Sequence, residues 1–148
     1  MTYNSAMNSE AVNKKQVIAL EVAALISGLS PFIERHTAEV CPSCRDVCCA
    51  DRHSRYDRSD LIYFASLDLH MPTAPDHPDG LSRCRFMAEC GCSLERFMRP
   101  YRCTWFFCAP LLDHIERQAG VREYRKFLSD LARITEKRTN LIETFEAS

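Results

Sequence analysis

Apolar residues recur along the first forty positions with a helical spacing. Ile18, Val22, Leu25 and Leu29 follow one another at steps of four, three and four, which places them on one stripe of a helix from about Ser9 to Gly28. Ser9 suits the start as a cap, and Gly28 suits the end, in the left-handed conformation that other residues resist. Ser30-Pro31 then reads as a reset, with serine as N-cap and proline at the first helical position, where its missing N–H costs nothing. A second helix through about Glu39 delivers the chain to Cys41. The same rhythm returns at the other end. Leu111, Leu112 and Ile115 lead from Pro110 to a stop at Gly120. A long final helix is predicted from Val121 to about Phe145, carried by Tyr124, Phe127, Leu131, Ile134, Leu141 and Phe145, with Arg138 as the charged break. It is expected to pack on the first helix or on the middle of the chain, and its rhythm is also compatible with pairing between two copies.

The middle is less regular. Asp57 or Ser59 caps a predicted helix containing Leu61, Ile62, Phe64, Ala65, Leu67 and Leu69, apolar enough to be buried. Residues 70–80 carry three prolines and a glycine and read as loop. Leu81 to Cys92 reads as extended or irregular, with Gly91 allowing a tight turn between Cys90 and Cys92. Ser93 to Pro100 offers one short turn. The expected fold is therefore mainly α. It is a small helical domain over residues 1–148, with a helical N-terminal part (1–40), an irregular cysteine-rich metal-binding core (41–108) and C-terminal helices (109–148).

Cysteine usage turns this outline into chemistry. All nine cysteines fall in three short groups, Cys41/Cys44/Cys48/Cys49, Cys84/Cys90/Cys92 and Cys103/Cys108, and none falls outside them. A small apolar core residue would be scattered over several elements; gathering it is what a thiophilic metal or an iron–sulfur cluster requires. The Cys41-x2-Cys44 step lets the backbone turn around one ion with both sulfurs facing it. Cys44 and Cys48 share a face if helical. Cys48 and Cys49 cannot project the same way, so they serve two metal positions or one is a buried bystander. An odd number of cysteines, two of them adjacent, disfavours a disulfide framework, and the N-terminus lacks a basic-then-apolar leader. A reducing, cytoplasmic setting is expected. Net charge −1 gives no reason to propose nucleic acid or an anionic membrane as partner, and no unbroken run of about 18 apolar residues suggests a span. His70 and His77 sit in the proline-rich loop and read as solvated, because softer thiols compete for the metal.

Two further features surround the third cysteine group. Trp105, Phe106 and Phe107 lie between Cys103 and Cys108 and would make a dry wall for a bound cluster, or simply core. Arg83, Arg85, Arg96, Arg99 and Arg102 crowd this half against Glu89 and Glu95. Four thiolates around a divalent ion leave a net negative charge that such arginines offset. Arg99, Arg102 and Trp105 are accordingly taken as cofactor-contacting residues, with an anionic-substrate pocket as the sharper alternative.

The order Cys41-x2-Cys44-x3-Cys48-Cys49, Cys84-x-Phe86-Met87, Gly91-Cys92-Ser93-Leu94-Glu95, Arg99-Pro100-x2-Cys103 and Phe107-Cys108 resembles the YkgJ-type cysteine-cluster family, whose domain is described as zinc- or iron-chelating. The resemblance covers about residues 41–108. It departs at Phe97, two residues from where the family carries tyrosine, in the segment after Cys103, and at Cys90, which has no counterpart. What it implies is a ligand set of Cys41, Cys44, Cys48, Cys49, Cys84, Cys92, Cys103 and Cys108, with Cys90 spare. The function expected is a metal-binding protein holding an iron–sulfur cluster, most simply of the 4Fe–4S type, or zinc, in a redox, sensing or metal-handling role. Two alternatives are an enzyme resembling the cluster-bearing flagellin lysine N-methylase and a structural zinc module whose terminal helices bind a protein partner or a second copy. The irregular cysteine spacings lean towards iron–sulfur.

Overall fold

In the computed structural model, residues 3–44, 49–50, 54–74 and 84–148 are described, with side chains described from residue 14 onward. The chain is mainly helical. A long first helix, α1 (Tyr3–Val40), and a long last helix, α5 (Val121–Glu146), enclose a cysteine-rich middle. Between them lie α2 (Arg58–Ser66), a minimal hairpin of β1 (Met87–Ala88) and β2 (Gly91–Cys92), the four-residue α3 (Arg102–Trp105) and α4 (Ala109–Gln118).

The expected break at Ser30-Pro31 is absent. The first helix starts at Tyr3 and runs unbroken through Pro31, so Ser9, Gly28 and Ser30 are interior positions and not caps or stops. Proline frees the carbonyl four residues back, and both Pro31 and Ser27 are exposed residues, so the freed group costs little there. On the opposite side the stripe continues across the proline. Ile18, Ala19, Val22, Ile26, Leu29, Phe32 and Ile33 are all buried, which holds the helix together where local propensity would end it. The stretch Lys14–Ser43 is also long and apolar enough to cross a membrane, with 39% of its most apolar window buried.

α5 lies antiparallel on α1. Phe127 stacks on Phe32 with ring centroids 4.5 Å apart, Arg35 pairs with Glu123 at 2.6 Å, Lys137 pairs with Glu21, and Lys15 sits over the Phe145 ring. Packing of the final helix on the first is thus one of the two expected arrangements. Ile134 and Leu141 complete the buried side.

α2 begins where the sequence places it. The Asp57 carboxylate accepts from the Asp60 backbone N–H at 2.8 Å, and Asp60 accepts in return from the Asp57 N–H at 3.1 Å, a reciprocal cap. Ile62, Tyr63 and Phe64 are buried, whereas Leu61 and Leu69 face solvent. Asp60 is itself buried and binds Arg138 of α5 at 3.0 Å, whose guanidinium lies 4.1 Å from the Tyr101 ring centroid. The charged break in the α5 rhythm is therefore an inward-facing anchor for α2. Of the loop 70–80, the described part has no regular element and His70 is exposed; His77 lies outside the described residues.

Candidate metal centre

Three connections bring the cysteine groups together. α1 passes at its C-terminus into a single 3-10 turn, Cys41–Ser43, closed by the Cys44 N–H on the Cys41 carbonyl at 3.1 Å. The backbone N–H of Cys84 donates to the Cys49 carbonyl at 3.0 Å, tying the second group to the first. The hairpin then folds the second group on itself, with Met87 opposite Cys92 and Ala88 opposite Gly91. Gly91 takes φ +111°, a conformation that a side chain would strain, and this is the tight turn the sequence predicts there. Cys103 lies in α3, and Cys108 occupies the N-cap of α4.

The result is convergence. Cys41, Cys44 and Cys49, then Cys84, Cys90 and Cys92, then Cys103 and Cys108 all line one cavity of about 600 Å³. These are eight of the nine cysteines; Cys48 lies outside the described residues. Cys90, the thiol with no place in the expected ligand set, also reaches this cavity, from the exposed hairpin turn. Among the described residues, no three Cys, His, Asp or Glu side chains close on one point as a single ion would require. The sulfurs ring a space.

Their electrostatics disfavour charge on the buried sulfur. Burial pushes the Cys103 thiol up to about 12, and negative charge on Cys49, Cys84 and Cys92 pushes in the same direction, with Arg99 opposing. Without a positive centre, Cys103 therefore stays protonated at neutral pH. A thiophilic cation reverses that balance and turns the same sulfurs into ligands. In donor type the thiols suit zinc or an iron–sulfur cluster; in placement, the described residues lack the three converging groups that one zinc ion needs. Tyr56 stands at the edge of the group: burial first, then Asp60, Cys103, Cys92 and Cys84, raise its phenol above the ordinary range. Its hydroxyl donates to the Met98 carbonyl at 2.6 Å. Nothing in its sequence neighbourhood, between Arg55 and Asp57, marks it as a neighbour of cysteines.

The arginines separate into distinct roles. Arg96 is almost fully buried and donates through Nε to the Ser30 hydroxyl at 3.2 Å, through one terminal nitrogen to the Cys103 carbonyl at 3.0 Å, and through the other to Glu34 at 2.6 Å. Arg99 donates to the Leu94 carbonyl at 2.9 Å and shares the same Glu34 oxygen at 3.2 Å. Partial burial raises the Glu34 carboxyl, but the two guanidiniums outweigh it and hold the group below its ordinary range. Glu34 thus clamps α1 to the segment that carries Cys103. Arg99 and Arg102 both line the cavity, as do Phe106 and Phe107. Trp105 does not line it; the indole is 47% exposed and packs edge-on to Phe106. Of the expected aromatic wall, two of three rings stand in place. The sequence crowd of arginines carries no mark that singles out Arg96 as the buried one.

No family model, curated protein or solved structure matches this chain.

Proposed function

We propose that the protein binds a thiophilic metal through its clustered cysteines, an iron–sulfur cluster in preference to zinc, and works in electron transfer, sensing or metal handling in a reducing, cytoplasmic setting. One observation carries the reading: eight cysteines from three separate sequence groups line the same cavity. Core cysteines have no reason to converge in this way, and gathered sulfurs are the donor type that a thiophilic metal takes up as thiolates. The resemblance of residues 41–108 to the YkgJ-type family points to the same class of ligand.

Iron–sulfur is preferred on the shape of the donor set. Four thiolates on one zinc stand about 3.8 Å apart by tetrahedral geometry at a metal–sulfur distance of roughly 2.3 Å. Sulfurs spread around a wide cavity suit a group with several corners better. Cys44 and Cys103, from the first and third sequence groups, are the first candidates to hold it, with Cys49, Cys84 and Cys92 near enough to Cys103 for their charge to act on it. When bound, such a group supplies one-electron transfer. Phe106 and Phe107 keep water from one side, Arg99 offsets thiolate charge, and Cys103 gives up its proton on binding.

The test is reduction. On protein purified without oxygen, dithionite should bleach a visible band and produce an electron paramagnetic resonance signal of a reduced cluster. A protein with neither response has no redox-active cluster, and the electron-transfer role falls.

A further inference from the structure

The cavity is larger than one four-thiolate metal ion needs. A tetrahedral metal with sulfur ligands at roughly 2.3 Å encloses on the order of 50 Å³, and pockets built for small organic ligands run from about 300 to 1,000 Å³. At about 600 Å³ this cavity belongs to the second class. Beside the sulfurs its lining carries apolar side chains, Ile33, Val40, Phe106, Phe107 and Leu111 among them.

Three arginines reach the same space, and they are not equivalent. Arg96 and Arg99 are committed to Glu34 and to the carbonyls of Cys103 and Leu94. Arg102 is committed to no carboxylate among the described residues. Its guanidinium lies over the faces of Phe106 at 5.1 Å and Trp105 at 6.0 Å. A guanidinium stacked on ring faces keeps its in-plane N–H fork open, which is the geometry that takes an oxyanion side-on. Apolar side chains beside a cation that, among the described residues, has no carboxylate partner make a site for a molecule with an apolar body and one negative end.

We infer that the cavity binds a small organic anion, its carboxylate or phosphate on Arg102 and its apolar body against Phe106 and Phe107. The inference deepens the metal reading and rests on it for the occupant of the sulfur-lined side. Of the two uses proposed for the arginines, charge balance then belongs to Arg99 and anion binding to Arg102.

Trp105 supplies the readout, as the one tryptophan of the chain and a direct neighbour of Arg102. Purified protein of measured metal content is titrated with benzoate, with phenyl phosphate and with neutral benzamide, following Trp105 fluorescence and, in parallel, heat by calorimetry. The expected result is saturable binding of at least one anion and none of benzamide; the tighter anion identifies the oxyanion class. Arg102→Gln should weaken that binding at least tenfold, whereas Arg125→Gln, on exposed α5, should leave it unchanged. Metal-loaded protein that gives only linear quenching and no heat with either anion overturns the anion site and leaves the metal reading standing. So does binding that Arg102→Gln does not weaken. Anion binding through Arg102 by folded, reduced protein that takes up neither iron nor zinc on reconstitution has the opposite meaning, removing the metal reading and keeping the site.

Discussion

Arg96 donates to the backbone carbonyl of Cys103 at 3.0 Å from a position that is only 5% exposed. This one guanidinium also holds Ser30 and Glu34 of α1, so the position of Cys103 is set by a helix some seventy residues earlier in the chain. Arg96→Met should leave the half-buried Cys103 carbonyl and Ser30 hydroxyl without this donor, at a cost of about 2 kcal/mol. Urea unfolding would register the loss, and a chelator should strip metal several-fold faster from the variant under conditions where both proteins are folded. Glu34→Gln should do less on both counts, because that carboxylate is half exposed.

Asp60 and Arg138 form the second long-range anchor, and this one is buried on both sides. Burial pushes the Asp60 carboxyl above its ordinary range, while backbone N–H donation and Arg138 offset part of that. Breaking the pair by Arg138→Met leaves a buried carboxylate with backbone N–H partners but no countercharge, and should cost about 3 kcal/mol. Adding Asp60→Asn in the same chain should recover part of it. A double variant no more stable than Arg138→Met in chemical denaturation would mean that the lost cation contacts with Tyr63 and Tyr101 dominate.

His36 makes stability pH-dependent. It is buried between Phe32 and His114, and its pKa is lowered first by burial, then by Arg35 and by His114, with Glu123 and Glu39 opposing. The unfolded chain binds this proton near pH 6.5 and the folded chain only at lower pH. Stability from this group is therefore complete above about pH 6.5 and falls as pH drops towards the folded value, by at most about 1.4 kcal/mol per pH unit. Unfolding midpoints from pH 7.5 to 5 should decline in the wild type and decline less in His36→Phe. Equal slopes would assign the effect to another group.

Among the cysteines, Cys44→Ser and Cys103→Ser should abolish metal retention. Cys90→Ser should leave it largely intact, since Cys90 sits exposed in the hairpin turn although it reaches the same cavity. Metal content after gel filtration measures all three. Equal loss in the three variants would place Cys90 among the ligands.

Local rules recover the elements whose cause is local. Asp57 caps α2, Gly91 makes its turn, and the buried stripes of α1 and α5 follow their three-four spacing. Pro31 misleads because its local preference is to start a helix, while the decision is made by Leu29, Phe32 and Ile33 meeting the rest of the core. The convergence of the cysteine groups is legible as composition but not as geometry: the hydrogen bond from Cys84 to Cys49 spans a separation that no spacing encodes. Arg96, Arg138 and Tyr56 are similarly hidden. A buried arginine and a solvated one look alike until their partners, Glu34 and Asp60, are brought across the fold. Trp105 shows the converse, a large aromatic that its neighbours recommend for the wall and the fold leaves half in water.

The most direct test of the metal centre is iron, zinc and acid-labile sulfide analysis, with an absorption spectrum, on protein purified without oxygen. The predicted result is iron with matching sulfide and a broad band at roughly 400 nm, where thiolate-to-iron charge transfer falls. Zinc without sulfide would keep the cysteine site and remove the cluster. Protein that is folded, reduced and free of both metals would contradict the account.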